Sequence, residues 1–285
     1  MNDRLDPKRS AAPGTDEAQP VPDTRAPFRV AVWQYRARDE TPAERIERLE
    51  SVLAELGAGT TDLVCCPELF LSGYNIGALV RERAEPADGP SARAIAELAK
   101  RFGTAILYGY PELDGGSRYN AVACIGPDGT RIANHRKLQL PSDYERETFG
   151  RGGRLTFFEL AGYRLGLLVC YDVEFPEAVR ACALGGAEIV VAPTALRSKW
   201  AFVARQMIPT RAFENGVFLV YANYAGEEGD WQYLGESCAI GPDGSEIARA
   251  GSGEEVLRAE LDPRLIGSAR ATLPYLSDRD AIPGR

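Results

Sequence analysis

Three residues in this chain have the types and positions of a nucleophile, a proton carrier and a fixed cation. In GLLVCYDVEFPE, residues 166–177, an apolar run ends on Cys170, so a thiol stands where a buried strand gives way to polar residues. A thiol that acts as a nucleophile needs a group to take its proton. The sequence holds one histidine, His135, followed by Arg136 and Lys137 in IANHRKLQLP. A lone histidine beside two cations reads as a strand-end residue, although a Cys–His dyad stays open because such partners meet in space rather than along the chain. Carboxylates are the other source of a base. TDLVCCPELFLSGYN puts Glu68 directly after an apolar strand and a proline, Cys170 takes the matching place on its own strand, and Lys137 ends a third. The carboxyl ends of strands are where sites form in α/β sheets.

The elements that must carry these residues are organised by an internal repeat. Gly-Pro-Asp-Gly occurs at 126–129 and again at 241–244, each time after an isoleucine and between strand-like runs, as a hairpin turn requires. Working back from each copy, RVAVWQY (29–35) matches RLGLLVCYD (164–172), DLVCCPE (62–68) matches EIVVAPT (188–194), and GTAILYGY (103–110) matches GVFLVYANY (216–224). Apolar residues at three- and four-residue spacing predict helices over 42–56, 91–102, 176–184 and 201–214. Each half is then strand–helix–strand–helix–strand followed by two further strands around a turn. Two such α/β halves, each a sheet covered by helices on one side, predict a four-layer αββα sandwich with a pseudo-two-fold repeat.

Composition narrows the function. The 285 residues are 45% apolar, 26% charged and 9% aromatic, ordinary values for a folded globular chain. A net charge of −8 argues against nucleic acid and against anionic membrane, both of which need a concentrated basic surface. No apolar stretch approaches the roughly 20 residues of a membrane span. Residues 1–27 hold five prolines and almost no large apolar side chain, so a disordered tail is expected, with one domain over 28–285. That tail has no apolar centre suited to a signal peptide, and the six cysteines (65, 66, 124, 170, 182, 238) read as reduced thiols in a cytoplasmic protein. No Cys or His spacing suits zinc, and GRGGR (150–154) lacks the strand–loop–helix context of a phosphate loop, so neither metal nor cofactor is expected.

Pro67-Glu68, Arg136-Lys137 and Cys170-Tyr171-Asp172 with Phe175-Pro176-Glu177 resemble the Glu–Lys–Cys motifs of the nitrilase, or carbon–nitrogen hydrolase, superfamily. Arg211 with FENGVFLVYANY (213–224) adds a further match, and the resemblance runs from about residue 28 to about 280. It implies the same sandwich fold, a homodimer or larger homo-oligomer, and catalysis by Glu68 as proton carrier, Lys137 as oxyanion stabiliser and Cys170 as nucleophile. Lys137 is also expected to favour thiolate at Cys170. A second carboxylate accompanies this triad, and Glu145 in PSDYERETFGRGG matches it, with Glu147 as the rival. LFLSGYNIG (69–77), YGYPE (108–112) and VYANYAGEE (220–228) resemble the aliphatic amidases, with the nearest likeness to enzymes that cleave ω-amino amides. The implied reaction is hydrolysis of a small linear amide through a thioester. A nitrile or an N-carbamoyl amine would use the same triad, and a non-catalytic binding protein on the same fold is the remaining reading. Tyr74, Tyr171, Asp172, Glu174 and Trp200 are the expected substrate contacts, with Asp143 as a further acid near the pocket.

Overall fold

The computed structural model describes residues 23–281. Its first half runs β1 (Phe28–Gln34), α1 (Pro42–Leu56), β2 (Leu63–Cys65), α2 (Leu79–Glu82), α3 (Pro90–Phe102), β3 (Ala105–Asp114), β4 (Ser117–Ile125) and β5 (Arg131–Arg136). A short helix, α4 (Asp143–Thr148), leads to β6 (Thr156–Leu160), β7 (Tyr163–Leu167), α5 (Pro176–Leu184), β8 (Ile189–Pro193), α6 (Ile208–Phe213) and β9 (Phe218–Ala222). The chain closes with a small hairpin, β10 (Glu227–Glu228) and β11 (Trp231–Gln232), then β12 (Cys238–Ile240), β13 (Glu246–Arg249), β14 (Glu255–Leu261), α7 (Arg264–Thr272) and α8 (Tyr275–Asp278).

The strands form two six-stranded sheets with mirrored logic, β14-β1-β2-β3-β4-β5 and β13-β12-β9-β8-β7-β6. In each, three parallel strands (β1-β2-β3 and β7-β8-β9) are flanked by antiparallel neighbours. The two Gly-Pro-Asp-Gly copies do the same work: Gly126 N–H donates to the Thr130 carbonyl at 2.7 Å, and Gly241 N–H to the Ser245 carbonyl at 2.8 Å. Gly129 (φ +81°) and Gly244 (φ +78°) occupy the left-handed position that closes each turn.

Alternation along the central strands sorts side chains into layers. Leu63 and Cys65 face the other sheet while Val64 faces α1 and α3, and Ile189 and Val191 face the first sheet while Val190 faces α5 and α6. The middle layer therefore joins Val30, Val32 and Leu107 to Leu165, Leu167 and Val220. Outside it, Leu49, Leu53, Ile95 and Leu98 cover one sheet, and Val179, Cys182, Ala204 and Ile208 cover the other. This is the αββα sandwich expected from the repeat.

Two elements differ in detail from the expectation. The strand read over 164–172 stops at Leu167, and Cys170–Glu174 forms a 3-10 turn instead. The helix read over 201–214 is present over 201–213 but carries a π-helical turn, Val203–Met207, ahead of α6. Pro209 lacks the N–H that regular helix pairing needs there, and Ile208 N–H reaches back to the Val203 carbonyl. The tail expected over 1–27 lies outside the described residues through position 22. Beyond it, Arg25 is anchored, donating to the Gly162 carbonyl at 2.6 Å and to Glu188 Oε2 at 3.0 Å.

Candidate active site

Glu68, Lys137 and Glu145 converge in a buried cluster beside Cys170. Glu68 follows β2 on a turn that drives Leu69 to φ +49°, a conformation non-glycine residues rarely hold. Gly109 on β3 packs directly under this turn: a Cβ there would sit 2.3 Å from the Leu69 nitrogen and 2.6 Å from the Pro67 carbonyl. Lys137 leaves β5 with its N–H on the Asn120 carbonyl at 2.8 Å and its own carbonyl accepting from Gly152 N–H at 2.7 Å. Gly152 is equally constrained, since a Cβ would fall 2.0 Å from the Arg136 carbonyl oxygen. Cys170 opens the 3-10 turn at φ +47°, which turns its side chain out of the strand direction.

All three charged side chains are fully buried. Lys137 Nζ donates to Glu68 Oε1 at 2.6 Å and to Glu145 Oε1 at 2.8 Å. Asn120 Nδ2 gives Glu68 Oε1 a second bond at 2.7 Å, while Glu68 Oε2 and Glu145 Oε2 have no partner among the described residues. Tyr74 Oη donates to Glu145 Oε1, and its ring centroid lies 6.0 Å from Lys137 Nζ. Ser142 Oγ caps α4 by accepting Glu145 N–H at 3.1 Å, which fixes the carboxylate's approach.

Burial pushes the Glu68 carboxyl above its ordinary value; Lys137 opposes this and Glu145 adds to it. For Lys137 burial works against the charged form, but the Glu68 and Glu145 carboxylates outweigh it and raise the ammonium well above its usual range. The Cys170 thiol is raised by burial and then by Glu68, with Lys137, Thr194 and the Ala195 backbone pulling less strongly the other way. Lys137 does act in the direction of thiolate, as expected, but burial and Glu68 outweigh it. The net push is toward the neutral thiol.

His135 is not part of this cluster. Its Nδ1 pairs with Thr156 Oγ1 at 3.2 Å and its Nε2 lies 3.8 Å from Asp172 Oδ2. Asp172 was expected at the substrate, but its carboxylate is consumed by the backbone. Oδ1 accepts from Gln139 N–H at 2.7 Å, and Oδ2 from Leu138 N–H at 3.1 Å and Val169 N–H at 3.2 Å. It fastens the Lys137 loop to the Cys170 turn. Glu147 and Asp143 are exposed, and Asp143 pairs with Arg146 at 2.7 Å, so neither joins the cluster. Trp200 is 56% exposed, with Lys199 Nζ 5.2 Å from its ring centroid, and among the described residues no contact ties it to the cluster.

Glu174 and Tyr171 are half-buried beside the site. Tyr171 packs edge-on against Phe175 at 4.9 Å. Burial raises the Glu174 carboxyl, with Lys137 and then Arg211 acting in the opposite direction. Sequence reasoning missed Asn120, Thr194 and Glu228. A polar Asn inside the apolar strand YNAVACI was the available signal for the first.

The family model for carbon-nitrogen hydrolases matches residues 29–271, and the chain belongs to that family. It is therefore an enzyme class built to hydrolyse carbon–nitrogen bonds. The chain is 47% identical over 255 residues to a Pseudomonas protegens protein described as a hydrolase in the pqqF 5' region, covering 88% of this chain and 89% of that one. It is 35% identical to an (R)-stereoselective amidase of Pseudomonas sp., covering 88% and 91% of the two chains. A mutant amidase from Nesterenkonia sp. AN1, with the acetamide moiety of fluoroacetamide added covalently at its active-site cysteine, superposes with a TM-score of 0.81. It is 30% identical, and the match covers 92% of this chain and 97% of that one.

Proposed function

We propose that this enzyme is an amidase that hydrolyses a small linear aliphatic amide to a carboxylic acid and ammonia through a thioester on Cys170. The observation that carries the reading is the Lys137 ammonium bridging two buried carboxylates in the field of the Cys170 thiol. Amidases among its relatives and structural neighbours support the same class.

In the first step the Cys170 thiol proton passes to Glu68, whose burial makes its carboxylate a stronger base than usual. Sγ bonds to the amide carbon, and the carbonyl oxygen takes the negative charge. Lys137 Nζ has three N–H groups, two of them committed to Glu68 and Glu145, so the third serves the oxyanion. The Tyr171 N–H, in the first turn of the 3-10 segment, is the second donor. The tetrahedral adduct collapses as the carbon–nitrogen bond breaks and Glu68 returns its proton to the departing nitrogen. Water then adds to the thioester, giving its proton to Glu68. Sγ leaves and regains a proton, and the acid is released.

For the substrate, a half-buried acid at Glu174, in the same 3-10 turn as Tyr171, suits an amide that carries a distal ammonium. The reading extends to a homo-oligomer working in the cytoplasm, since Trp200 and Phe202 are 56% and 68% exposed and suit a contact between copies. Among the described residues no helix is long and apolar enough to cross a membrane. Ammonia release from a panel of amides, nitriles and N-carbamoyl amines tests the class. Within the amides, kcat/KM for 5-aminopentanamide should exceed that for pentanamide by roughly tenfold, about 1.4 kcal/mol of transition-state discrimination. Equal values would remove Glu174 as an ammonium site. Turnover of nitriles or carbamoyl amines alone would replace the amidase reading.

A further inference from the structure

The hairpin β10–β11 reaches across from the second half of the chain to the loop that carries Tyr74. At its start, Glu228 is 8% exposed. Its carboxylate accepts from Tyr74 N–H at 3.2 Å, from Asn75 N–H at 2.6 Å and from Tyr233 Oη at 2.6 Å. Asn75 Nδ2 returns a bond to the Glu228 carbonyl at 2.9 Å, and the Trp231 ring packs on Tyr74 at 5.3 Å. Gly73, at φ +87°, leaves room for this approach, because a Cβ there would lie 2.6 Å from Glu228 Oε1. The loop so held delivers the Tyr74 hydroxyl to Glu145 Oε1, the same oxygen that accepts from Lys137 Nζ.

We propose that Glu228 is a positioning residue for the hydrolysis: it fixes loop 73–75 so that Tyr74 holds Glu145 against Lys137. It rests on the reading of Lys137 as the oxyanion cation. Two backbone N–H groups and a hydroxyl converge on one carboxylate, a charge-assisted set that orders the loop more strongly than neutral acceptors would. When that set is weakened, Tyr74 drifts from Glu145 and Lys137 loses one of its two fixed anchors. The Tyr74 hydroxyl is committed to Glu145, so the loss falls chiefly on kcat rather than KM.

A double-mutant cycle on the full-length enzyme tests this, using Glu228→Gln, Tyr74→Phe and the pair, with circular dichroism and melting curves alongside. Glu228→Gln should lower kcat by roughly tenfold with KM changed by less than about twofold. The double variant should be no slower than Tyr74→Phe alone, because both substitutions act through one bond. Wild-type kcat in Glu228→Gln, or losses that multiply in the double variant, would overturn the assignment. If Glu228→Gln does not fold, Tyr233→Phe, which removes only the hydroxyl that steers the carboxylate, should lower kcat in the same direction; an unchanged kcat there would also overturn it. Lys137→Ala in the same assay separates the two readings: full activity sinks the role of Lys137, whereas an inactive Lys137→Ala beside a fully active Glu228→Gln sinks only that of Glu228.

Discussion

At the scale of single residues, the competition for the thiol proton lies between Glu68 and His135. Glu68 is bonded to the ammonium that also acts on Cys170, whereas His135 is turned toward Thr156 and Asp172. Glu68→Gln should therefore lose roughly a hundredfold or more in turnover, the scale of general acid–base catalysis, while His135→Asn stays within about tenfold of wild type. The reverse pattern would make the histidine the base. A pH profile adds a sign. The base must be ionised, and burial holds the Glu68 carboxyl above its ordinary value. The acid limb of kcat/KM should therefore lie above the usual carboxylate range of about 4.3, with activity lost as pH falls through it. An acid limb at or below that range would contradict the raised carboxyl. Glu68, Lys137 and Cys170 could be singled out from the sequence because each falls just beyond a strand in a recognisable motif. The upward push on the Cys170 thiol could not, since it comes from burial and from Glu68 outweighing Lys137.

Elements set what the motifs leave open. The internal repeat gave the layers away because buried parallel strands alternate side chains between two packed faces, as at Leu63, Val64 and Cys65. The end of β7 and the π-helical turn before α6 escaped because apolar periodicity continues through both while the backbone hydrogen-bond pattern changes. Asp172 was misread for a related reason: an acid two residues from a nucleophile looks like a substrate contact, and sequence does not reveal that Leu138, Gln139 and Val169 bring their N–H groups to it. As the fastener between the Lys137 loop and the Cys170 turn, it should be intolerant of losing an acceptor. Asp172→Asn should cost at least about 2 kcal/mol in urea unfolding, since hydrogen bonds to a buried charge are worth roughly 1.5–3 kcal/mol each. Turnover should fall with it, and an unchanged midpoint with full activity would show that the clamp is dispensable.

At the scale of the whole molecule, the two halves divide the labour. The first supplies Glu68, Asn120 and Lys137, and the second supplies Cys170, Thr194 and the Glu228 hairpin, so the site exists only where the halves meet. That division explains why Asn120, Thr194 and Glu228 were hidden: each is distant in sequence from the group it serves. It also ties activity to correct docking of the two sheets through the shared layer of Val32, Leu107, Leu167 and Val220. Light scattering will show whether the protein works as the homo-oligomer that its exposed Trp200 and Phe202 suggest. The central claim is that Cys170 attacks the amide carbon, and ammonia release by Cys170→Ala beside wild type on the same short amides tests it most directly. The account predicts release by the wild type and none above background from a Cys170→Ala protein with an unchanged circular dichroism spectrum. Ammonia release by that variant at a rate comparable to wild type, or a wild type that cleaves no amide, would contradict it.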